Sequence, residues 1–211
     1  FYSASAHKSV LFMPFLIFGI WFYFKHNRSL RFIPIILSLV ILTSMLTYYL
    51  FGDLMASSLF SRRVFFVPAY LTYIYFEFFS YNTYVFWSNS ITSSFLDYQY
   101  TQSIPFVIGD YLGDNTLAAN NGFISSGYAH AGLLGVAFYS TIVGYLLKFI
   151  NRLSEGAMPI WFVLALCIAP LRTLLTSSDL LTTMLTHGFF LIIILIFLVR
   201  RPNNRRIRER I

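Results

Sequence analysis

The sequence predicts an all-α integral membrane protein, a polytopic bundle of about six transmembrane helices with one long extracytoplasmic loop. Three observations carry this. Apolar residues make up 57% of the 211-residue chain and charged residues only 11%, far from the balance of an ordinary soluble domain. The apolar residues fall in charge-free runs of membrane length, and a charge at the bilayer centre is costly enough that such runs read as spans. Aromatic residues are abundant, with 24 Phe, 15 Tyr and 3 Trp, in keeping with lipid-facing surfaces and interfacial belts.

About twenty apolar residues cross a bilayer as helix, and six stretches qualify. The first, 10–24, is slightly short and ends at Lys25-His26-Asn27-Arg28; the second, 32–51, is interrupted only by Ser and Thr. The third, 64–80, follows Arg62-Arg63 and carries Pro68, placed in the first turns where proline costs least. A polar stretch, 81–131, comes next, with short interfacial or re-entrant helices expected over 83–96 and 104–112. The remaining spans are 132–150, 159–175 and 181–199, and Gly127, Gly132, Gly135 and Gly144 would let the fourth helix pack closely on a neighbour. The whole chain, 1–211, reads as one membrane domain. It starts at Phe1 with no signal-peptide pattern before its first apolar run, which leads to the expectation of a C-terminal portion of a larger polytopic protein.

Net charge is +7, and six of the fifteen basic residues lie in 200–211. Directly after an apolar run such a tail reads as a cytoplasmic flank rather than a nucleic-acid arm. Counting back from it, 176–180 is outside, 151–158 with Lys148 and Arg152 is inside, and the long loop is outside. The same count puts Arg62-Arg63 inside but Lys25, Arg28 and Arg31 outside, against the rule unless a further segment within 52–112 enters the membrane. The single cysteine, Cys167, sits in an apolar run, so no disulfide or Cys-metal framework is available.

Residues 97–132 stand apart. They hold Asp97, Asp110, Asp114, Asn120-Asn121, a glycine series and His130, with no Lys or Arg. This polar island reads as the exposed loop where chemistry would sit.

Two stretches, SRRVFFVPAYLTYIYFEFFS (61–80) and NNGFISSGYAHAGLLGV (120–136), resemble the O-antigen and capsule repeat-unit polymerases of the Wzy type. The resemblance covers roughly 55–150 and fits the C-terminal half of such a protein. It implies a helical architecture related to the GT-C glycosyltransferases and the O-antigen ligases, in the bacterial inner membrane. It also implies polymerisation of undecaprenyl-pyrophosphate-linked oligosaccharides into O-antigen, capsular or exopolysaccharide, with a chain-length regulator and a flippase as partners. An O-antigen ligase and a non-enzymatic lipid-linked-glycan flippase are the alternatives.

That reaction needs cations for the leaving pyrophosphate, a base for the attacking hydroxyl and a wet groove for sugar. Arg172, near the outer end of the fifth span, is the first cation, or else a structural partner of Asp179. On a continued helix the two would share a face about 10 Å apart. Arg62 and Arg63 read as a pyrophosphate clamp or as a plain cytoplasmic flank. His130 is a candidate base or an interfacial histidine bonded to a carbonyl. Asp110 and Asp114 are candidate bases or sugar ligands, or simply turn formers. Glu77, amid aromatics in the third span, must be functional or paired. His187 reads as a packing residue. Asn120, Asn121 and Ser126 read as turn chemistry whose exposed groups also suit sugar or phosphate. Tyr81, Tyr84, Trp87, Tyr98 and Tyr100 read as an interface belt that could also stack on sugar rings. No cofactor and no bound metal are expected, since no metal-ligand spacing occurs.

Overall fold

The computed structural model describes residues 8–26, 32–52, 54–89, 91–154 and 159–199, and among these no strand occurs. The readings placed on Arg28, Arg31 and the basic tail 200–211 lie outside the described residues. Helices α1 (Lys8–His26) and α2 (Phe32–Phe51) coincide with the first two apolar runs. Helix α3 (Leu54–Ser57) passes directly into a π-helical stretch, Ser58–Phe66, and then into α4 (Val67–Tyr81). Pro68 therefore lies inside a continuous helical rod rather than near its start. A proline donates no N–H and its ring crowds the carbonyl four residues back. The wider winding upstream, in which the Val67 N–H donates to the Arg62 carbonyl, carries the rod up to that point.

Beyond α4 the segment expected to be helical over 83–96 is built of turns, with one 3-10 turn at Ile91–Ser94. The short helix expected over 104–112 is present as α5 (Ile104–Tyr111). Helix α6 (Phe123–Ser154) and α7 (Ile160–Thr176) follow. The sixth apolar run is not one helix. It divides into α8 (Leu180–Leu185) and α9 (Phe189–Val199), parted at Gly188, whose φ of +73° no helix admits.

Helix α6 is folded on itself. Ala131 (φ −153°, ψ 33°) and Gly132 (φ 60°, ψ −144°) leave helical geometry. Gly127 and Gly135 would lie about 12 Å apart along a straight helix. Here a Cβ on Gly135 would come 1.9 Å from the Gly127 carbonyl oxygen. The glycine series thus serves the close approach of the two arms of α6, while Gly144 faces open space. The first arm runs beside α4, with Tyr128 stacked on Phe76 at 3.9 Å between ring centroids, and the second packs on α7 and α9.

Two apolar clusters result. Leu71, Ile74, Tyr75 and Phe79 of α4 gather Val85, Ile104, Ile108, Ala119 and Ala129 around the first arm of α6. Tyr139 and Val143 of the second arm join Val163, Cys167 and Leu174 of α7, Leu180 of α8 and Phe189, Ile193 and Ile196 of α9. The polar island is consequently not an exposed loop throughout: Asn121, Ser125, Ser126 and His130 are buried. Helix α2 is the opposite case: among its residues whose burial is described, Ser44 alone is buried, hydrogen-bonded to Ser61 of the π stretch at 2.7 Å. Among the described residues two helices, Pro34–Phe51 and Phe123–Arg152, are long and apolar enough to cross a membrane by length and composition. The second is divided by the fold at Gly132, and its arm over 133–154 still measures about 33 Å.

Gly132→Ala should lower stability to unfolding by about 1–3 kcal/mol, because its φ/ψ is open essentially to glycine alone and a Cβ would meet the Tyr84 hydroxyl at 2.9 Å. Gly144→Ala, with nothing near its Cβ, should be neutral or stabilising. Thermal unfolding of the two purified variants checks both.

Candidate functional site

The fold in α6 creates the site. A helix that stops leaves its last carbonyls without partners, and the first arm stops at His130. Val85 and Phe86 donate their backbone N–H groups to the carbonyls of Ala129 (2.9 Å) and His130 (3.1 Å). The next amide, that of Trp87, donates to Nδ1 of the His130 ring at 3.1 Å. To present these amides the chain takes positive φ at Phe86 (47°) and Trp87 (64°), costly for aromatic residues. The indole of Trp87 then lies over His130 with 5.2 Å between ring centroids.

Because Nδ1 accepts from Trp87, the ring proton is on Nε2. That nitrogen faces Oδ1 of Asp179 at 3.4 Å. Asp179 caps α8, and its Oδ2 accepts the Leu181 N–H at 2.9 Å. Oδ1 also accepts the Tyr139 hydroxyl at 3.0 Å, and the Tyr139 oxygen in turn accepts the Trp87 indole N–H at 2.9 Å. Burial pushes the Asp179 carboxyl up, but the hydrogen bonds from His130, then Tyr139 and the Leu181 amide, outweigh it and hold it below the usual carboxylate range. Three donors, one from each arm of α6 and one from the first turn of α8, thus converge on one carboxylate.

The pair borders a polar cavity of about 240 Å³. Asn89, Ser103, Asn120, Asn121, Ser126, Ser177, Ser178 and Thr182 supply most of its polar lining. Asn121 is already committed. Its amide nitrogen donates among the Pro68 carbonyl (3.1 Å), Thr72 Oγ1 (2.9 Å) and Ser125 Oγ (2.7 Å), and its oxygen accepts the Gly122 N–H (2.9 Å). It ties the start of α6 to α4. Asn120 is exposed at the rim, and Oδ1 of Asn89 is buried without a hydrogen-bond partner.

Of the residues singled out in the sequence, His130, Asp179, Asn120, Asn121 and Ser126 meet at this cavity. The others do not line it. Helix α7 ends at Thr176, so Asp179 is not on a continued face with Arg172. Its carboxylate turns to His130 and Tyr139, and Arg172 is exposed. Arg62 and Arg63 are exposed in the π stretch, Arg62 beside an apolar groove against α2. Asp114 is a turn former: its Oδ1 accepts the Thr116 hydroxyl (2.6 Å) and N–H (2.9 Å), which lowers its pKa. Asp110 is exposed on α5. Glu77 is half-buried on α4 and makes no ion pair or hydrogen bond among the described residues. His187 is exposed rather than packed.

His130 offers no unpaired ring nitrogen to a ligand in this geometry. One ring nitrogen is occupied by the Trp87 amide and the other carries the proton toward Asp179. The free basic group in the cavity is the carboxylate. The parts that Trp87 and Tyr139 play were not legible in the sequence: Trp87 read as a residue of the interface belt, and Tyr139, in an apolar run, signalled only packing. Asn89 had no signal either. Among the described residues no group of three or more His, Cys, Asp or Glu could hold a metal ion.

Asp179→Ala should destabilise the protein by about 1–3 kcal/mol at neutral pH, since it leaves buried donors on Tyr139 and His130 unpaired. A carboxyl held below its ordinary value in the folded state stabilises fully above about pH 4–5 and loses that contribution as pH falls through the lowered value. The unfolding midpoints of wild type and variant, recorded across acid pH, should therefore converge on acidification.

Compared with known proteins, the chain matches no family model, no curated protein and no solved structure.

Proposed function

We propose that the chain belongs to a multi-pass bacterial inner-membrane glycosyltransferase that joins undecaprenyl-pyrophosphate-linked oligosaccharide repeat units into long polysaccharide. The observation that carries this reading is an ionised Asp179 at a cavity otherwise lined mainly by hydroxyl and amide side chains. Such a lining suits a polyhydroxylated ligand, and a carboxylate at its wall suits a hydroxyl that must lose a proton.

In the step proposed, an acceptor hydroxyl attacks the anomeric carbon of the donor glycan. The new C–O bond forms as the bond from that carbon to the pyrophosphate breaks, and the pyrophosphate leaves with the electron pair. The hydroxyl proton passes to Asp179. The two carboxylate oxygens accept about four hydrogen bonds; His130, Tyr139 and the Leu181 amide use three, which leaves one for the acceptor. His130 and Tyr139 are positioning residues that hold the carboxylate ionised and aimed. The departing pyrophosphate calls for cations. Arg172 lies about 7 Å along the chain axis from Ser177 at the cavity wall, with Arg62 and Arg63 as further candidates.

Support for a membrane setting comes from the surface. Helix α2 leaves Tyr49 85% and Phe51 79% exposed, and the second arm of α6 leaves Leu133 72% and Leu134 80% exposed, a distribution suited to lipid rather than water. Residues of the polar stretch and of 177–179 border one cavity, as two loops on the same face of a bilayer would. Six crossings, an outward cavity and a cytoplasmic C-terminus complete the reading. The sixth crossing would combine α8 and α9, since α9 alone measures about 16 Å.

Deleting the gene should leave single repeat units in place of long polysaccharide, seen as collapse of the glycan ladder on a gel; an unchanged ladder overturns the reading. Complementation with Asp179→Asn should cut elongation by about 100-fold or more, the loss expected for a missing general base, at normal membrane abundance of the protein. A full ladder from that variant removes Asp179 from the mechanism.

A further inference from the structure

We infer that the cavity beside Asp179 is the acceptor-sugar subsite and that it selects a neutral pyranose, with the side-chain carbonyl of Asn89 taking one of the sugar's hydroxyl protons in a hydrogen bond. The inference rests on the glycan reading above and adds which end of the reaction the cavity holds and what it refuses.

Charge decides the first point. The titratable groups lining the cavity are Tyr75, His130 and Asp179, with no Lys or Arg among them. The carboxylate of Asp179 is ionised and largely withdrawn from water, its side chain 15% exposed. A pyrophosphate or a sugar carboxylate placed beside it would set like charges together with no cation between them. The donor's leaving group therefore sits outside this cavity, and the ligand inside it is uncharged. Volume decides the second point. About 240 Å³ is roughly eight times a water molecule's share of liquid volume, room for one pyranose ring and its hydroxyls.

Asn89 supplies a specific contact. Its Oδ1 is buried and unpartnered, and a buried polar atom without a hydrogen bond is costly. Asn89 is among the residues that line the cavity, so a turn of its side chain that brings Oδ1 to a ligand hydroxyl removes the cost. The hydroxyls of Ser126 and Ser177 on the lining already donate to the Gly122 and Thr173 carbonyls, so toward the cavity they accept, which suits the hydroxyls of a sugar and not an anion with no proton to give.

The full chain in detergent micelles is to be titrated by saturation-transfer NMR with methyl glycosides of glucose, galactose and N-acetylglucosamine, with the methyl glycosides of glucuronic and galacturonic acid, and with inorganic pyrophosphate. At least one neutral glycoside should bind saturably, and both uronides and pyrophosphate should bind at least about tenfold more weakly. Asn89→Leu should weaken the neutral ligand by roughly tenfold without lowering the unfolding midpoint. Asn89→Asp, which keeps an acceptor, should retain the neutral ligand and widen the margin against the uronides. No saturable neutral ligand, or displacement of one by pyrophosphate or a uronide at equal concentration, overturns the inference. Unchanged affinity and selectivity in both variants removes Asn89 from it. A glycan ladder that survives gene deletion while neutral sugar still binds would sink the polymerase reading alone, and loss of the ladder without sugar binding would sink this one alone.

Discussion

Everything at the centre of this protein depends on the backbone reversal at Ala131 and Gly132. A straight α6 would satisfy its own carbonyls and point His130 along a helix flank. The reversal ends the first arm at His130 and frees the Ala129 and His130 carbonyls for Val85 and Phe86. It also returns the second arm so that Tyr139 reaches the same carboxylate that His130 faces. Only glycine holds the required φ/ψ, and only glycines at 127 and 135 let the arms touch. A backbone constraint of three residues thus sets the chemistry of the interior.

The second dependency is electrostatic. An aspartate this far from water is tolerable only if it is well supplied with donors. Its three come from separate places: a histidine ring fixed by the Trp87 amide, a tyrosine on the second arm of α6 and the first turn of α8. Trp87 serves the network twice, through its backbone amide and through its indole N–H to Tyr139. The strained backbone at Phe86 and Trp87 is offset by the pairing of three consecutive amides.

Much of the helical layout was legible in the sequence, because long apolar runs fix helices α1, α2 and α7 to within a residue or two at most ends. Hydropathy does not see a break that keeps its composition, so the run over 181–199 concealed the turn at Gly188. Polarity misled in the opposite sense over 97–132. Polar side chains signal exposure only when water must satisfy them, and here Asn121, Ser125 and Thr72 satisfy one another in the interior. His130 and Asp179 were both visible as candidates, but helical spacing tied Asp179 to Arg172. The Ser177-Ser178-Asp179 series is itself an N-cap signal, and it marks the end of one helix and the start of the next.

The π-helical stretch Ser58–Phe66 stands between α2 and the rest of the molecule. Each turn there holds more residues than an α-turn, so the rod is shorter than its residue count would otherwise make it. The α2 hairpin hangs from this shortened segment through the Ser44–Ser61 hydrogen bond, whereas the grip of α4 on the folded arm begins at Pro68, beyond it. Rewinding that stretch to ordinary pitch would lengthen the rod between these two attachments. The pitch of this stretch thus sets how far α2 stands from the grip on the folded arm.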